Sequence, residues 1–332
     1  MRALLAALAL LATAACAPTI QRAGVPEPAF AGPRIEADAL VSHDGARLGL
    51  SSWQPDGAQP VRAVVIALHG MNDYARAWEL AGPAWAAEGI ATYAYDARGF
   101  GRSPGRGVWA GDALLAADLR AAIQAVRTRH PGLPLVLAGE SMGAATIMTT
   151  LAAPNPPAVD RVLLLAPAVW GWSNLPLPYS ATLWVSARFA GPSRVTPPRA
   201  VTRRIQATDN IELLRRLGRD PLMTFETRID AVYGLVRLME RAYDGAGRLP
   251  PGTLFAYGAN DQIIPPQALA NTIARLPRHV RVVRYPEGWH MLTRDLQAGR
   301  LFSDAAAFIT DPQTPLPSGL DAATPQPGAT AR

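Results

Sequence analysis

The sequence predicts an α/β protein, a doubly wound and mostly parallel sheet covered by helices, with a largely helical insertion. Two observations predict this fold. Short apolar runs of strand length alternate with longer amphipathic segments along the middle of the chain, and this alternation is typical of βαβ units. Several of the runs are apolar without interruption, as expected for parallel strands that are buried on both faces.

The individual elements follow from composition and spacing. Strands are predicted at residues 61–68, 90–95, 134–138, 161–165, 253–257 and 280–285, and helices at 74–87, 111–128, 142–151, 266–274 and 295–309. Ahead of them, residues 34–53 contain the turn sequence His43-Asp44-Gly45 and suit a β-hairpin. The main domain is therefore predicted at residues 34–310.

One stretch, about 170–249, interrupts the alternation. It begins with aromatic residues and prolines (Trp170, Trp172, Pro176, Pro178, Tyr179 and Trp184) and becomes amphipathic at 211–217 and 229–243. A connection between two strands needs far fewer residues. We interpret the stretch as an inserted helical cap. The alternative is a packed helical extension with no part in catalysis.

Composition limits the function classes. The chain has 332 residues, of which 49% are hydrophobic and 17% charged, enough for one large core and too apolar for a wholly disordered chain. The formal net charge is +6, and the positive residues, all arginine, are spread along the chain. A nucleic-acid-binding protein would group them on one element, so no nucleic-acid partner is expected.

The N-terminus has the form of a secretory signal. Met1-Arg2 precede a short apolar run and then small residues that end at Cys16, the one cysteine of the chain. The run is too short to cross a bilayer, which takes about 20 apolar residues. Residues 1–15 resemble a bacterial lipoprotein signal, which implies that Cys16 is lipidated and anchors the protein to an envelope membrane, facing the periplasm. The alternatives are an ordinary cleaved signal on a secreted or periplasmic soluble protein, and a chance apolar start of a cytoplasmic one.

Two terminal segments are rich in proline and small residues. Residues 16–33 contain Pro18, Pro26, Pro28 and Pro33 and are predicted to form a flexible tether. Residues 311–332 contain five prolines and are predicted to be a disordered tail.

A candidate nucleophile follows the third predicted strand of the domain. Gly139-Glu140-Ser141-Met142-Gly143 lies between the run 134–138 and a helical segment, the strand–turn–helix setting of a G-x-S-x-G nucleophile elbow. Gly139 and Gly143 are expected because larger side chains beside the sharp turn would collide with the neighbouring chain. The turn leaves Ser141 exposed at a helix N-terminus, where developing negative charge is favoured.

Two further loops carry the partners that such a serine needs. Asp261 follows the strand at 253–257, and His290 follows the strand at 280–285. Their order along the chain, serine, acid, histidine, is the order expected for this elbow. We predict Ser141 as nucleophile, His290 as general base and Asp261 as the acid that orients it.

The loop His69-Gly70-Met71-Asn72 follows the strand at 61–68. In enzymes with this elbow, a loop here supplies one backbone N–H of an oxyanion hole, and the residue after the nucleophile supplies the other. By position these are Met71 and Met142.

Other candidates fit less well. Asp96 is the rival acid, but its arginine- and glycine-rich loop is typical of a structural role, and His69 is expected to make structural hydrogen bonds. The remaining serines and histidines lack an elbow or a late loop: Ser103, Ser173, His43, His130 and His279. No cluster has the spacing of metal ligands, so no metal and no cofactor are expected.

Five motifs together (HGMND, DARGFGRS, GESMGA, GANDQIIP and GWHML) resemble the monoacylglycerol lipase and lysophospholipase branch of the α/β-hydrolases, which is serine aminopeptidase S33-like. The resemblance covers about residues 34–310. The chain departs from it at Glu140, where many relatives have histidine, and at Asn72 and Ala144, where glycine is common.

The resemblance implies a serine hydrolase that cleaves carboxylic esters through an acyl-enzyme. The expected partner is a small ester or lipid, a monoacylglycerol or a lysophospholipid. One alternative is a peptidase or amidase on the same scaffold, which acidic residues in the cap would favour; Glu212, Glu226, Asp230 and Glu240 are the candidates. The other is an envelope binding protein without catalysis.

Overall fold

The computed structural model describes residues 17–57, 59–196 and 205–323. Nine strands form one sheet, in the order β1-β2-β3-β5-β4-β6-β7-β10-β11. They are β1 (Arg34–Ile35), β2 (Ala39–Val41), β3 (Arg47–Trp53), β4 (Ala63–Leu68), β5 (Ile90–Tyr95), β6 (Leu135–Glu140), β7 (Arg161–Leu165), β10 (Thr253–Gly258) and β11 (Arg281–Tyr285). A separate pair, β8 (Arg194–Val195) and β9 (Thr227–Arg228), lies in the cap.

The six strands from β5 to β11 in the sheet are parallel, as predicted. Every residue of β4, β5 and β6 is buried, which explains why these strands are uninterrupted apolar runs. Alternate residues of β4 contribute to different cores, with Val64 and Ile66 on one face of the sheet and Val65 on the other. The predicted hairpin is confirmed, since β2 and β3 pair antiparallel.

Nine α-helices are found among the described residues. They are α1 (Ala81–Ala87), α2 (Asp112–Arg129), α3 (Met142–Leu151), α4 (Leu177–Phe189), α5 (Ile211–Leu217), α6 (Ile229–Gly245), α7 (Pro266–Ile273), α8 (Ala298–Thr310) and α9 (Leu320–Ala323).

The helix predicted at 74–87 is two elements, a 3₁₀ turn at Ala75–Trp78 and then α1. Pro83 explains the break. It has no backbone N–H to donate to the Glu79 carbonyl, and its ring would clash with that carbonyl in a continuous helix. Within the first turn of α1, Pro83 is tolerated.

The stretch predicted as an inserted cap is largely helical. The connection from β7 to β10 contains a 3₁₀ turn (Trp172–Asn174), α4, the β8–β9 pair and α5. Its last helix, α6, packs on α3, the helix that follows the candidate nucleophile, and also on the cap helix α4. Parallel strands such as β7 and β10 need a crossover connection, usually a helix, and α6 is the last α-helix of this connection. The helix α6 thus connects the cap elements to the rest of the domain.

The C-terminal segment is not the disordered tail that its prolines predict, as far as the structure describes it. Leu316 is buried against the core, and Ser318 donates hydrogen bonds to Asp304 from its backbone N–H and its hydroxyl. Arg281 forms an ion pair with Asp321. Polar anchors on β11 and α8 thus order residues 311–323, whereas residues 324–332 lie outside the described part.

The predicted tether has no helix or strand, yet it is fixed at two points. The backbone N–H of Gln21 donates to the Trp109 carbonyl at 2.8 Å, and the backbone N–H of Gly24 donates to Asp44 Oδ2 at 2.7 Å. The predicted signal at 1–15 and Cys16 lie outside the described residues. Among the helices of the described residues, none is long and apolar enough to cross a membrane.

Candidate active site

Ser141 sits on a strained turn between β6 and α3. Its backbone has φ 54° and ψ −115°, a conformation that costs energy for any residue with a Cβ. A Cβ at Gly139 would lie 2.5 Å from the Ala144 nitrogen, and a Cβ at Gly143 would collide with the Leu68 carbonyl. Both positions therefore need glycine, as the elbow motif predicts.

The loop after β4 lies directly beside this serine. A Cβ placed on Gly70 would be 3.4 Å from the Ser141 Cβ, so the backbone of the loop passes within van der Waals reach of the serine. In the described part of the chain, we find no hydrogen bond from the backbone N–H of Met71 or Met142 to a protein acceptor. These are the two donors that the sequence predicts for an oxyanion.

His69 has the structural role predicted for it. Its Nε2 accepts a hydrogen bond from the Ala97 backbone N–H at 2.9 Å, so the ring proton is on Nδ1, which donates to the Gly70 carbonyl at 2.7 Å. Both ring nitrogens are thus used to hold the loop.

Asn72 joins the same loop to the cap. Its φ is 66°, a left-handed conformation that asparagine tolerates better than most residues, which explains how it stands where relatives have glycine. The side-chain NH₂ group of Asn72 donates to Thr227 Oγ1 at 2.8 Å. The backbone carbonyl of Asn72 accepts from the Thr224 backbone N–H at 3.0 Å. The cap is therefore bonded to the residue next to Met71.

Asp261 and His290 meet at the carboxyl ends of β10 and β11. Asp261 Oδ2 and His290 Nδ1 are 2.8 Å apart. The other carboxylate oxygen, Oδ1, accepts from the backbone N–H groups of Ile263 at 2.7 Å and Ile264 at 3.0 Å. Because a carboxylate only accepts, the Nδ1 of His290 is the donor and its Nε2 is left to accept a proton.

Ser141 and His290 line one central cavity of about 640 Å³. No hydrogen bond joins the Ser141 hydroxyl to the His290 ring within the described residues. Such bonds are often long before substrate binds and shorten in the complex. The structure thus brings the predicted acid and base into contact and places the predicted nucleophile on the cavity that the base lines.

The wall of the central cavity is mostly apolar. The cap and its crossover helix supply aromatic and aliphatic side chains, among them Trp170, Leu175, Leu183, Leu235, Val236 and Met239. The ionisable side chains that line it are His290 and Tyr179, together with three charged ones, Asp73, Glu140 and Arg294. An amphiphilic molecule with one polar end matches such a lining.

Those three side chains form a buried ionic cluster. Arg294 Nη2 donates to Asp73 Oδ2 at 2.6 Å and to Glu140 Oε2 at 3.1 Å. Burial by itself lowers the pKa of Arg294, but the charges of the two carboxylates outweigh it and its pKa is raised. Sequence reasoning missed Asp73 and Arg294, although the unusual Glu140 was a signal that a cation lies opposite it.

The loop that carries His290 is held by its own polar residues. Asp295 is buried and accepts a hydrogen bond from the Trp289 backbone N–H at 2.7 Å. Burial raises the pKa of the Asp295 carboxyl to about 6.

The rival assignments have structural roles. Asp96 accepts from the backbone N–H groups of Ala75 and Arg102 and pairs with the Arg102 guanidinium. The one close group of metal-type ligands in the described residues is His43, Asp44 and Asp118. Arg98 donates to both of these carboxylates, at 2.6 Å and 2.7 Å, so the group is an ion-pair network around a guanidinium.

Comparisons with known proteins give a consistent result. Residues 59–297 match the model of the Hydrolase_4 family, described as serine aminopeptidase, S33. The chain is 26% identical over 273 residues to a monoacylglycerol lipase of Mycolicibacterium smegmatis, covering 80% of this chain and 93% of the relative. It is 29% identical over 131 residues to a monoglyceride lipase of Homo sapiens, covering 39% of this chain and 42% of the relative.

Among solved structures, the monoacylglycerol lipase of Paleococcus ferrophilus matches with a TM-score of 0.66 at 19% identity, over 79% of this chain and 98% of that one. A soluble variant of monoglyceride lipase from Saccharomyces cerevisiae, in complex with a substrate analog, matches with a TM-score of 0.69 at 18% identity, over 90% and 99%.

Proposed function

The chain belongs to the Hydrolase_4 family, serine aminopeptidase S33, and has the α/β-hydrolase fold; from this premise we propose that it is a serine hydrolase of monoacylglycerols. One observation carries the proposal. A histidine oriented by Asp261 and a strained, glycine-flanked Ser141 face the same apolar cavity.

In the proposed reaction, His290 Nε2 takes the proton of Ser141 Oγ as the oxygen attacks the ester carbonyl. Asp261 holds the proton on Nδ1 and stabilises the imidazolium. The backbone N–H groups of Met71 and Met142 donate to the oxyanion of the tetrahedral intermediate. As the C–O bond breaks, the alcohol leaves with the proton from His290. A water activated by His290 then hydrolyses the acyl-enzyme and releases the acid.

The cavity supports an amphiphilic ester as substrate. The apolar walls suit a long acyl chain, and the ionic end near Ser141 suits a polar leaving group. One guanidinium between two carboxylates leaves a formal negative charge at this end. Because that charge repels a phosphate, we favour a neutral alcohol such as glycerol over a lysophospholipid headgroup.

The substrate proposal predicts a chain-length effect of blocking the cavity. In Leu183→Trp, a large ring on α4 would fill part of the acyl space. We expect kcat/KM for a long-chain monoacylglycerol to fall about tenfold or more, and that for p-nitrophenyl acetate to change by less than about threefold. The measurement is a panel of monoacylglycerols, lysophospholipids and short esters.

Thr182→Trp is the matched control, because Thr182 lies on the same helix, is exposed and does not line the central cavity. An equal loss on short and long esters in Leu183→Trp would contradict a long acyl pocket. Faster hydrolysis of lysophospholipids than of monoacylglycerols by the unaltered protein would contradict the choice of a neutral alcohol.

An aminopeptidase is disfavoured by the cap. Recognition of a free amino terminus needs an unpaired carboxylate near the reacting carbonyl. No acidic side chain of the cap lines the central cavity in the described residues, and the candidates named from the sequence are bonded to arginine or serine within this segment: Glu212, Glu226, Asp230 and Glu240. Turnover of an aminoacyl p-nitroanilide above that of esters would reverse this preference.

We also propose that lipidation of Cys16 anchors the protein to an envelope membrane. The exposed apolar surface of α4 supports contact with lipid: Leu177 is 79% and Phe189 75% exposed, and Ala187 is the one buried residue of this helix. Such a surface is typical of proteins that meet a membrane or a partner.

Cys16→Ser is therefore expected to move the protein from the membrane fraction to the soluble fraction of the envelope. Ala17→Ser, one residue further along, is the matched control and is expected to stay with the membrane. Fractionation followed by immunodetection measures both. Retention of Cys16→Ser in the membrane at the control's level would contradict the anchor.

A further inference from the structure

Arg294 is a buried cation at the point where two loops of the candidate active site meet the end of β6. It is 2% exposed and comes four residues after His290 in the sequence. Its Nη2 donates to Asp73, in the loop that supplies Met71, and to Glu140, which directly precedes Ser141. One atom thus connects the loops of the predicted base and oxyanion donor to the residue before the nucleophile.

The residue beside it strengthens the same connection. Thr293 Oγ1 is 3.1 Å from Glu140 Oε1, and the Thr293 backbone N–H also donates to that oxygen. Glu140 is therefore bonded through both of its oxygens to consecutive residues of the loop that carries His290. The nucleophile and the base are held in register through this carboxylate.

Stability alone accounts poorly for this cluster. Moving an arginine and two carboxylates out of water is costly, and apolar residues of similar volume are often equally stable. Nε and Nη1 of Arg294 have no hydrogen-bond partner among the described residues, so even the polar contacts are incomplete. A cation is, however, needed here, because two uncompensated carboxylates beside Ser141 would oppose the negative charge that develops on the substrate oxygen.

We infer that Arg294 is a positioning residue for the hydrolysis, which rests on the function proposed above. It fixes Met71 and Ser141 relative to His290, and its charge cancels part of the field of Asp73 and Glu140. It acts through these loops and not by contact with the leaving group. Its removal should therefore slow the chemical step on every ester by the same factor.

Arg294→Met tests this directly. We expect kcat to fall about 100-fold with KM changed by less than about threefold, and by the same factor for a monoacylglycerol and for p-nitrophenyl butyrate, whose leaving group has no hydroxyls. Arg294→Lys retains a cation between the carboxylates and should recover kcat to within about tenfold of the unaltered protein. Unfolding temperatures measured alongside confirm that each variant is folded.

Where Arg294→Met does not fold, the isosteric variants Asp73→Asn and Glu140→Gln replace it. Each weakens one contact of the guanidinium and is expected to lower kcat with little change in KM. A loss confined to the glycerol ester, a change in KM alone, or full activity of these variants would overturn the inference. If instead the unaltered protein has no activity that depends on Ser141, the proposed function fails first, and labelling by a fluorophosphonate probe distinguishes the two failures.

Discussion

Replacing Ser141 with alanine is expected to lower kcat for ester hydrolysis about 10⁶-fold. The hydroxyl is the attacking atom in the proposed reaction, and no other hydroxyl sits on a strained elbow beside the central cavity in the part of the chain that the structure describes. The loss of one oxygen should leave the fold intact, because the serine's backbone bonds, including the one from its N–H to the Leu165 carbonyl at 3.0 Å, persist in alanine.

The measurement has two parts, the steady-state rate and covalent labelling by a fluorophosphonate. Both should disappear in Ser141→Ala. Ser173→Ala is the matched control, because Ser173 is an exposed cap residue that bonds to Glu240 and does not line the cavity. Labelling that survives in Ser141→Ala at the control's level would refute the assignment of the nucleophile.

Replacing Asp261 with asparagine is expected to lower kcat about 10⁴-fold without unfolding the protein. Oδ1 of Asp261 accepts from two backbone N–H groups, those of Ile263 and Ile264. In asparagine the amide oxygen must remain on that side, because an NH₂ group there would face two donors. The NH₂ group therefore points at His290 Nδ1, which must accept, and the ring proton moves to Nε2.

That tautomer cannot take the proton of Ser141, so the chemistry stops although the geometry is retained. Rates, a thermal unfolding curve and a ¹⁵N spectrum of the histidines measure the three parts of this prediction. Asp38→Asn is the control, because the Asp38 carboxylate is 82% exposed and pairs with the surface residue Arg47. Near-normal turnover by Asp261→Asn would show that another group orients His290.

The sheet and the predicted catalytic residues were accessible from the sequence for one physical reason. Strands such as β4 and β6 are buried on both faces and leave uninterrupted apolar runs. Ser141, Asp261 and His290 each come shortly after such a run, at the carboxyl edge where the ends of parallel strands meet. The place of these residues in the sequence, just after a strand, therefore indicated where they lie in the fold.

The unusual Glu140 was the one signal of the ionic cluster in the sequence, and its partners could not be located from it. Arg294 lies 221 residues from Asp73 and 154 from Glu140 in sequence. An ion pair between residues so far apart produces no periodic pattern from which it could be predicted. The same limit applies to the C-terminal segment. Its prolines predict disorder, and the sequence gives no sign of the contacts with Asp304 and Arg281 that order it.

The two hydrogen bonds of Asn72 make the cap and the Met71 amide one mechanical unit. A chimera that exchanges the cap segment for that of another protein would have to supply residues that make the bonds of Thr224 and Thr227. Without them, the Met71 N–H, the proposed oxyanion donor, would lose its support even if the new cap formed a suitable cavity. A change of the cap that is made to alter the chain-length preference is therefore expected to alter the turnover rate as well. In a protein whose lid makes no such bonds, the two properties could be changed separately.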